Sequence, residues 1–394
     1  MSVSTCMGDI SRVVRNTCVL FFFAGLIVSG AAVADVKAIV VNGLGNEEVF
    51  LSDINNKSQA VGSGIVESTG EEHALVWEDG ESMDLGTLGG PCSTATAIDE
   101  GGEHIVGYSD TPSSPDCFLN SHAFIWRNGM MTDLGTLGGP TSSASDVNKN
   151  GVVAGTSEID DCESAPWDPS FLICINRAFR WHGGTMVDLG TLGGANSFAN
   201  HINNRGVVGG ASQTGVTVVV QDPFDPSFTF EVEEQHATVW ENGAIYDVHP
   251  PGVQGDSTVV NLTEDGTMLI GVFLYDFTQP VQTYRLRNGK YELLPYEFVD
   301  AINEKNEIVT SGPQSDGGFG PLVIGPSRTT ELPSVIDVAF EEDGRPWFGG
   351  WFMSGMNNRH QAVGSGFKFF LDTFDFVGRA VIYDYTPGEN RGKN

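Results

Sequence analysis

Three stretches of this chain are near-copies of one another. They read HALVWEDGESMDLGTLGG at 73–90, HAFIWRNGMMTDLGTLGG at 122–139 and RAFRWHGGTMVDLGTLGG at 177–194. A second shared block follows each: AIDEGGEHIVG at 97–107, DVNKNGVVAG at 146–155 and HINNRGVVGG at 201–210. A unit repeated along a chain means one supersecondary element, stacked in a row or arranged in a ring. That constrains architecture strongly and activity weakly, because a repeat fold is a scaffold for grafted sites.

The unit at 122–159 reads as four antiparallel strands. HAFIW at 122–126 is aromatic and β-branched, which suits a strand. Asn128-Gly129 is a hairpin turn, since both positions accept φ > 0. The second strand is expected over 130–134, the glycine-rich loop over 135–140, the third strand over 143–147 and the fourth over 152–157, after a tight turn at 148–151. In HAFIW, Ala123 and Ile125 face one way, and Phe124 and Trp126 the other. A strand apolar on both faces must be covered on both. Four-stranded sheets packed face to face around an axis satisfy this, so the expected fold class is an all-β β-propeller.

Degenerate copies extend the series. HATVW at 236–240 opens a fourth unit, TYRL at 283–286 a fifth and PLVI at 321–324 a sixth. First strands then start near 73, 122, 177, 236, 283, 321 and 379, which favours seven blades. The stretch 337–350 can also be read as a turn block, which leaves eight open. Residues 42–45 align with the glycine loop and 52–55 with the third strand, so the chain enters the repeat mid-unit. It leaves mid-unit too, with a spare first strand at 378–383. A ring closed by pairing the C-terminal strand with the N-terminal strands would remove the exposed sheet edges.

The string HAF-x-W … DLGTLGG … S-x-A-x-x-[IV]-N-x-x-G-x-VVG resembles the HAF family of probable extracellular repeat proteins. The match is nearly continuous over 122–155 and strong over roughly 73–210. The resemblance implies a secreted repeat protein with no established general activity.

Export is also read from the N-terminus. Arg12 and Arg15 precede an apolar run at 18–28, and Ala32-Val33-Ala34 is a small-x-small site. This is the layout of a secretory signal peptide over 1–34, leaving 35–394 as a single propeller domain. The apolar run is too short to span a bilayer, which takes roughly 20 residues. No membrane insertion is expected after cleavage, and the product is secreted, periplasmic or extracellular. A formal net charge of −31 disfavours nucleic acid and anionic membranes as partners. A monomer is expected.

Cys6 and Cys18 leave with the signal. Cys92, Cys117, Cys162 and Cys174 remain, and an even count in an exported chain points to two disulfides. Of three connectivities, Cys162–Cys174 and Cys92–Cys117 are expected. The first closes a short loop. The second joins a glycine loop to an insertion on the same face of an antiparallel blade. Zinc spacing of the CxxC kind is absent, and no metal site is expected. Asp146-x-Asn148-x-Asn150-Gly151 matches half of a calcium loop, but Ser157 stands where the loop needs a glutamate. A tight-turn role accounts for every copy, with calcium as the second reading and no other cofactor expected.

The long insertions, 110–121, 158–176 and 213–235, all join a fourth strand to the next first strand, so they share a face. Two carry the string DPSF, at Asp168 to Phe171 and Asp225 to Phe228. Loops on a rigid scaffold are where binding residues usually sit. His73, His122 and His236 at one strand position are expected to make blade-internal hydrogen bonds. Asp84, Asp133 and Asp188 are expected to bond turn amides, and Trp77, Trp126, Trp181 and Trp240 to pack blades. His201, His249 and Asp256 break the repeat and are the candidates for a catalytic set. No nucleophile elbow or phosphate loop accompanies them. The favoured function is a non-catalytic binding propeller that recognises a glycan or an exported protein through its insertion-bearing face. The alternative is an exported propeller hydrolase or lyase with a site at the channel rim. N-terminal sequencing of the exported product should begin at Asp35; a product beginning at Met1 would overturn the signal reading.

Overall fold

A computed structural model describes residues 36–165, 168–221, 227–276, 279–315, 317, 319–340, 347–370 and 376–385. The signal segment 1–34 lies outside them. The strands form seven antiparallel four-stranded sheets arranged as a β-propeller. Blade one holds Gly45–Ile54, Ala60–Val66, Glu72–Glu78 and Glu81–Gly86. Blade two holds Ser93–Ile98, Ile105–Asp110, Ser121–Arg127 and Met130–Asp133. Blade three holds Gly138–Val147, Val153–Ala165, Asp168–His182 and Thr185–Asp188. Blade four holds Ser197–Ile202, Val208–Gln221, Thr229–Glu241 and Ala244–Asp247. Blade five holds Gly255–Leu262, Met268–Leu274, Gln282–Arg287 and Lys290–Leu293. Blade six holds Val299–Ile302, Ile308–Pro313, Phe319–Ile324 and Thr329–Glu331. Blade seven holds Trp347–Met356, Gln361–Phe370 and Phe376–Asp384, and takes Lys37–Val41 from the other end of the chain.

The first strands of successive blades touch one another all round the ring and are therefore innermost. Closure follows the expected route. Lys37–Val41 pairs antiparallel with Phe376–Asp384, from Lys37 opposite Asp384 to Val41 opposite Ala380. The N-terminal strand is the outermost strand of the last blade. Seven blades are present, so the eight-blade alternative is set aside. The helix Val335–Ala339 begins the stretch 337–350, and the inner strand Trp347–Met356 ends it; residues 341–346 lie outside the described residues.

The phase of the repeat differs from the expected one. The unit at 122–159 straddles two blades. Its first two strands are the outer pair of blade two, and its last two are the inner pair of blade three. Asn128-Gly129 turns the chain back within a sheet, with φ of 52° and 79°. The DLGTLGG segment instead leaves the sheet and steps to the next inner strand, with Gly135 and Gly138 at φ of 74° and 115°. The inner strand of blade three is longer than expected and begins at Gly138.

Both faces of the strands are covered, as HAFIW requires. One cluster between blades one and two joins Val61, Ala74 and Val76 to Ala95, Ile98, Ile105 and Phe124. Another joins Val49, Leu51 and Ile54 of blade one to Val363, Ala380 and Ile382 of blade seven. Trp77 and Trp240 are buried in such clusters, and Trp126 and Trp181 pack against them.

Repeated polar residues stitch the blades together. Asn357 Oδ1 accepts the turn amides of Arg359 and Gln361. Its Nδ2 donates to the Asn55 carbonyl of blade one at 2.9 Å. Asn55, Asn148, Asn203 and Asn303 repeat this pattern toward the next blade. Asp99 and Thr263 occupy the remaining two places. Ser93, Ser142, Ser197 and Ser257 add a second stitch, each accepting the amide of Ala74, Ala123, Ala178 or Ala237 in the preceding blade. Asn357→Ala should lower the unfolding free energy by about 2 kcal/mol, since it orphans buried turn and inter-blade groups. Denaturant titration with an unchanged slope reads this directly, and an unchanged midpoint would contradict the stitch.

Candidate functional site

Antiparallel order fixes two faces. The connections between blades and the loops from second to third strands emerge on one face, and the remaining turns on the other. The long insertions sit on the first face as expected, but each joins a second strand to a third within a blade rather than a fourth strand to the next first, and two of them are not loops. Residues 158–165 with 168–176, and 213–221 with 229–235, continue the blade strands as paired arms. Their β-branched residues support an extended ladder, with Val218 opposite Val232 and Val219 opposite Glu231.

Both disulfides form as expected. Cys92–Cys117 ties the connection between blades one and two to the insertion of blade two. Cys162–Cys174 cross-braces the arm of blade three, where the two residues stand opposite in the ladder. Of the shared DPSF strings, Asp168 and Phe171 lie in the third strand of blade three with side chains outside the described residues. Asp225 also lies outside them. Phe228 is described, and 68% of it is exposed.

The repeated histidines make blade-internal bonds. His73 pairs with Asp84 and His122 with Asp133, each at 2.9 Å, and His236 with Asp247 at 2.7 Å. Arg177 replaces the imidazole beside Asp188. Each aspartate also accepts an amide of the glycine segment, from Gly86, Gly135 or Gly190.

Blade four departs from this pattern, and two catalytic candidates, His249 and Asp256 of blade five, flank it without a contact between them among the described residues. His249 stands where the other blades have Gly86, Gly135 and Gly190, and its amide donates to Asp247. Its ring stacks on His236 at 4.2 Å. Its Nδ1 lies 2.7 Å from the Ser257 hydroxyl, and its Nε2 2.9 Å from the Val253 carbonyl. A carbonyl only accepts, so Nε2 carries a proton. Ser257 is buried and already accepts the Ala237 amide. This Ser–His pair braces the fold and offers no exposed nucleophile.

His236 is held between carboxylates, with Glu234 3.4 Å from Nε2. The Asp247 hydrogen bond raises its pKa above the ordinary value, against partial burial. Asp256 accepts the Gln235 amide at 3.0 Å and the Tyr275 hydroxyl at 2.7 Å. Burial raises the Asp256 carboxyl, and the two bonds only partly offset it. Burial and the bond to Asp256 push the Tyr275 phenol well up. From sequence, Glu231 to Glu234 read as solvated charge rather than a site, and Tyr275 lay outside sequence reasoning because it falls in a non-repeated segment.

His201 lies elsewhere. It sits at the far end of the inner strand of blade four, by the turns of the opposite face. Its Nδ1 is 3.6 Å from Asp146 of blade three. Burial opposes its charge, but the neighbouring Asp146 raises its pKa overall. Asp146 accepts the amides of Val147 and Ile202, and Asn148 those of Asn150 and Val152. The calcium-like string therefore builds a turn and an inter-blade bond. Asp53, at the equivalent place in blade one, accepts the amides of Ile54 and Ile98. Burial raises its pKa to about 6.

No family model matches the chain, and no curated protein matches it. Solved structures do. The chain is similar to the β-propeller domain of the Trilobed protease from Pyrococcus furiosus, described as having an open velcro topology. Identity is 10% and the TM-score 0.47, covering 84% of this chain and 97% of that one. It is also similar to Pyrococcus horikoshii acylaminoacyl peptidase, at 8% identity and a TM-score of 0.39, covering 81% of this chain and 57% of that one. No helix among the described residues is long and apolar enough to cross a membrane.

The buried acids set a pH dependence. Asp300 carries a buried Oδ2 without a hydrogen-bond partner, and burial raises its pKa to about 7. An unfolded aspartate titrates near about 3.9. Between those values the folded state holds a proton that the unfolded state has lost, so stability falls as pH rises through this window. His236 acts in the same direction: its stabilisation is full below its unfolded pKa and is lost as pH rises through the raised folded one. The thermal midpoint should therefore rise on moving from about pH 8 to about pH 5. Asp300→Asn should flatten that slope; an unaltered slope would remove Asp300 from the account.

Proposed function

We propose that this protein is an exported interaction module that recognises a glycan or an exported protein through its insertion-bearing face. The observation that carries this reading is one-sided elaboration. Among the described residues, the two longest insertions project as adjacent strand-built arms from blades three and four, on the same face as the insertion of blade two. A disulfide stiffens one arm, and another pins the insertion of blade two. Rigid presentation lowers the ordering cost of binding. The HAF-like repeat and the signal layout support export, and the two disulfides suit an oxidising compartment.

The placement of the catalytic candidates supports binding over turnover. His249 and Asp256 stand on the insertion-bearing face, with both ring nitrogens of His249 and Oδ1 of Asp256 engaged in structural bonds. His201 stands by the turns of the opposite face. The test is a glycan array and a secreted-protein pull-down with the mature chain, repeated after shortening 158–176 and 213–235. Binding that disappears when either arm is shortened supports the reading. Binding indifferent to both, or polysaccharide turnover that falls with His249→Ala or Asp256→Asn, would overturn it.

A further inference from the structure

The arm of blade four has a strand edge that the blade does not cover. The inner strand pairs with the second strand only as far as Ser197 opposite Ser212. The connection between blades three and four continues that cover, with the Gly194 amide on the Gln213 carbonyl, and reaches Gly215, where an added Cβ would lie 3.0 Å from the Gly193 carbonyl oxygen. Among the described residues, Thr217 to Val220 of the second strand have a ladder partner on one side only, namely the third strand. An uncovered edge is a template for one more strand, and proteins usually blunt it.

The side chains of this arm are unlike a blunted edge. Val219 is 67% exposed and Phe228 68%, and Val216 and Phe230 are exposed as well. Thr217 and Val219 share a face with Glu233 and Glu231, their ladder partners. Residues 213–235 hold five carboxylates and no lysine or arginine; residues 158–176, the neighbouring arm, also hold five and none. A strand laid along Thr217–Val220 would set its basic residues beside Thr217 and Val219, on the face of Glu231 and Glu233, and its apolar residues on the other face, beside Val218.

From this juxtaposition we infer that the arm of blade four captures an extended, cationic segment of an exported protein as an added β-strand. The inference rests on the interaction reading above and narrows it to one partner chemistry. Main-chain bonds supply affinity in this mode, and alternate side chains supply selectivity. Pairing with a second copy is opposed by charge, since each chain carries −31.

The probe is a fluorescent peptide of about 12 residues that alternates Lys with Val and Thr. Controls are a Glu-for-Lys version and a version N-methylated at alternate residues, which keeps the charge and cannot form a ladder. Fluorescence anisotropy with the full mature chain should show binding of the Lys peptide and none of the Glu peptide. N-methylation should weaken it at least about tenfold. Val219 and Glu231 are exposed and Glu233 is half-buried, so Val219→Ser and the pair Glu231→Gln/Glu233→Gln should each weaken it several-fold with an unchanged melting curve. Equal binding of the N-methylated peptide would mean diffuse charge attraction and overturn the strand-addition claim. So would a dimer, in sedimentation, that Val219→Ser dissolves, because the edge would then belong to a second copy. Failure of every peptide beside an arm-dependent glycan hit would overturn this inference and leave the interaction reading standing; failure of both removes the broader reading too.

Discussion

The pairing of Lys37–Val41 with Phe376–Asp384 is the contact on which the rest of the ring depends. Every other blade is built from consecutive strands and could form locally. Blade seven alone needs both ends of the chain. Without that pairing, blade seven would show a raw edge, and the cluster joining Leu51 and Ile54 to Val363 and Ile382 would have no fixed second wall. Closure costs the loop entropy of nearly the whole chain, but that cost grows only logarithmically with length. A core buried on both faces of every sheet repays it many times over.

Once the ring is closed, its polar repeats acquire meaning. An asparagine at the end of an inner strand caps its own turn with its oxygen and reaches the next blade with its nitrogen. Five of seven blades do this, and the step from blade seven to blade one is made the same way, by Asn357 to Asn55. The same turns carry buried acids. Asp53 and Asp300 sit where burial raises their pKa to about 6 and about 7; desolvation also raises Glu100, helped by the charge of Glu264, and Glu304, against the hydrogen bond it accepts from the Glu264 amide. A chain with 51 acidic residues and 20 basic ones places several acids where few cations can answer them. Mild acid relieves that strain in the folded state.

Much of this was legible in the repeat. Both apolar faces of HAFIW required covered sheets, and the half-units at the two ends required closure. Blade-internal bonds of the histidines and turn-amide bonds of the aspartates were expected from the unit, but their pairing with each other emerged only from the structure. The phase was not legible, because a hairpin turn and a step between sheets both read as glycine-rich turns; only φ values and pairing separate Asn128-Gly129 from Gly135–Gly138. The arms were expected as loops, since length and DPSF strings outweighed the valines at 216 and 218–220 in that reading. The asparagine stitch was visible as a recurring Ile-Asn or Val-Asn, but a turn role alone accounted for it. Tyr275 had no repeat signal at all, and the clustering of His249 with His236 depends on a stacking contact that no spacing encodes. His249 was nonetheless detectable as a histidine standing at a glycine position of the DLGTLGG segment.

The face assignment, the arms and the inter-blade stitch all assume a closed ring. Native-state hydrogen exchange tests closure most directly, read by mass spectrometry on peptides covering 37–41 and 376–384. Closure predicts that these backbone amides exchange together, and only through the global unfolding that also opens the inner strands. Rapid exchange of 37–41 while the inner strands stay protected would show an open ring and contradict the account.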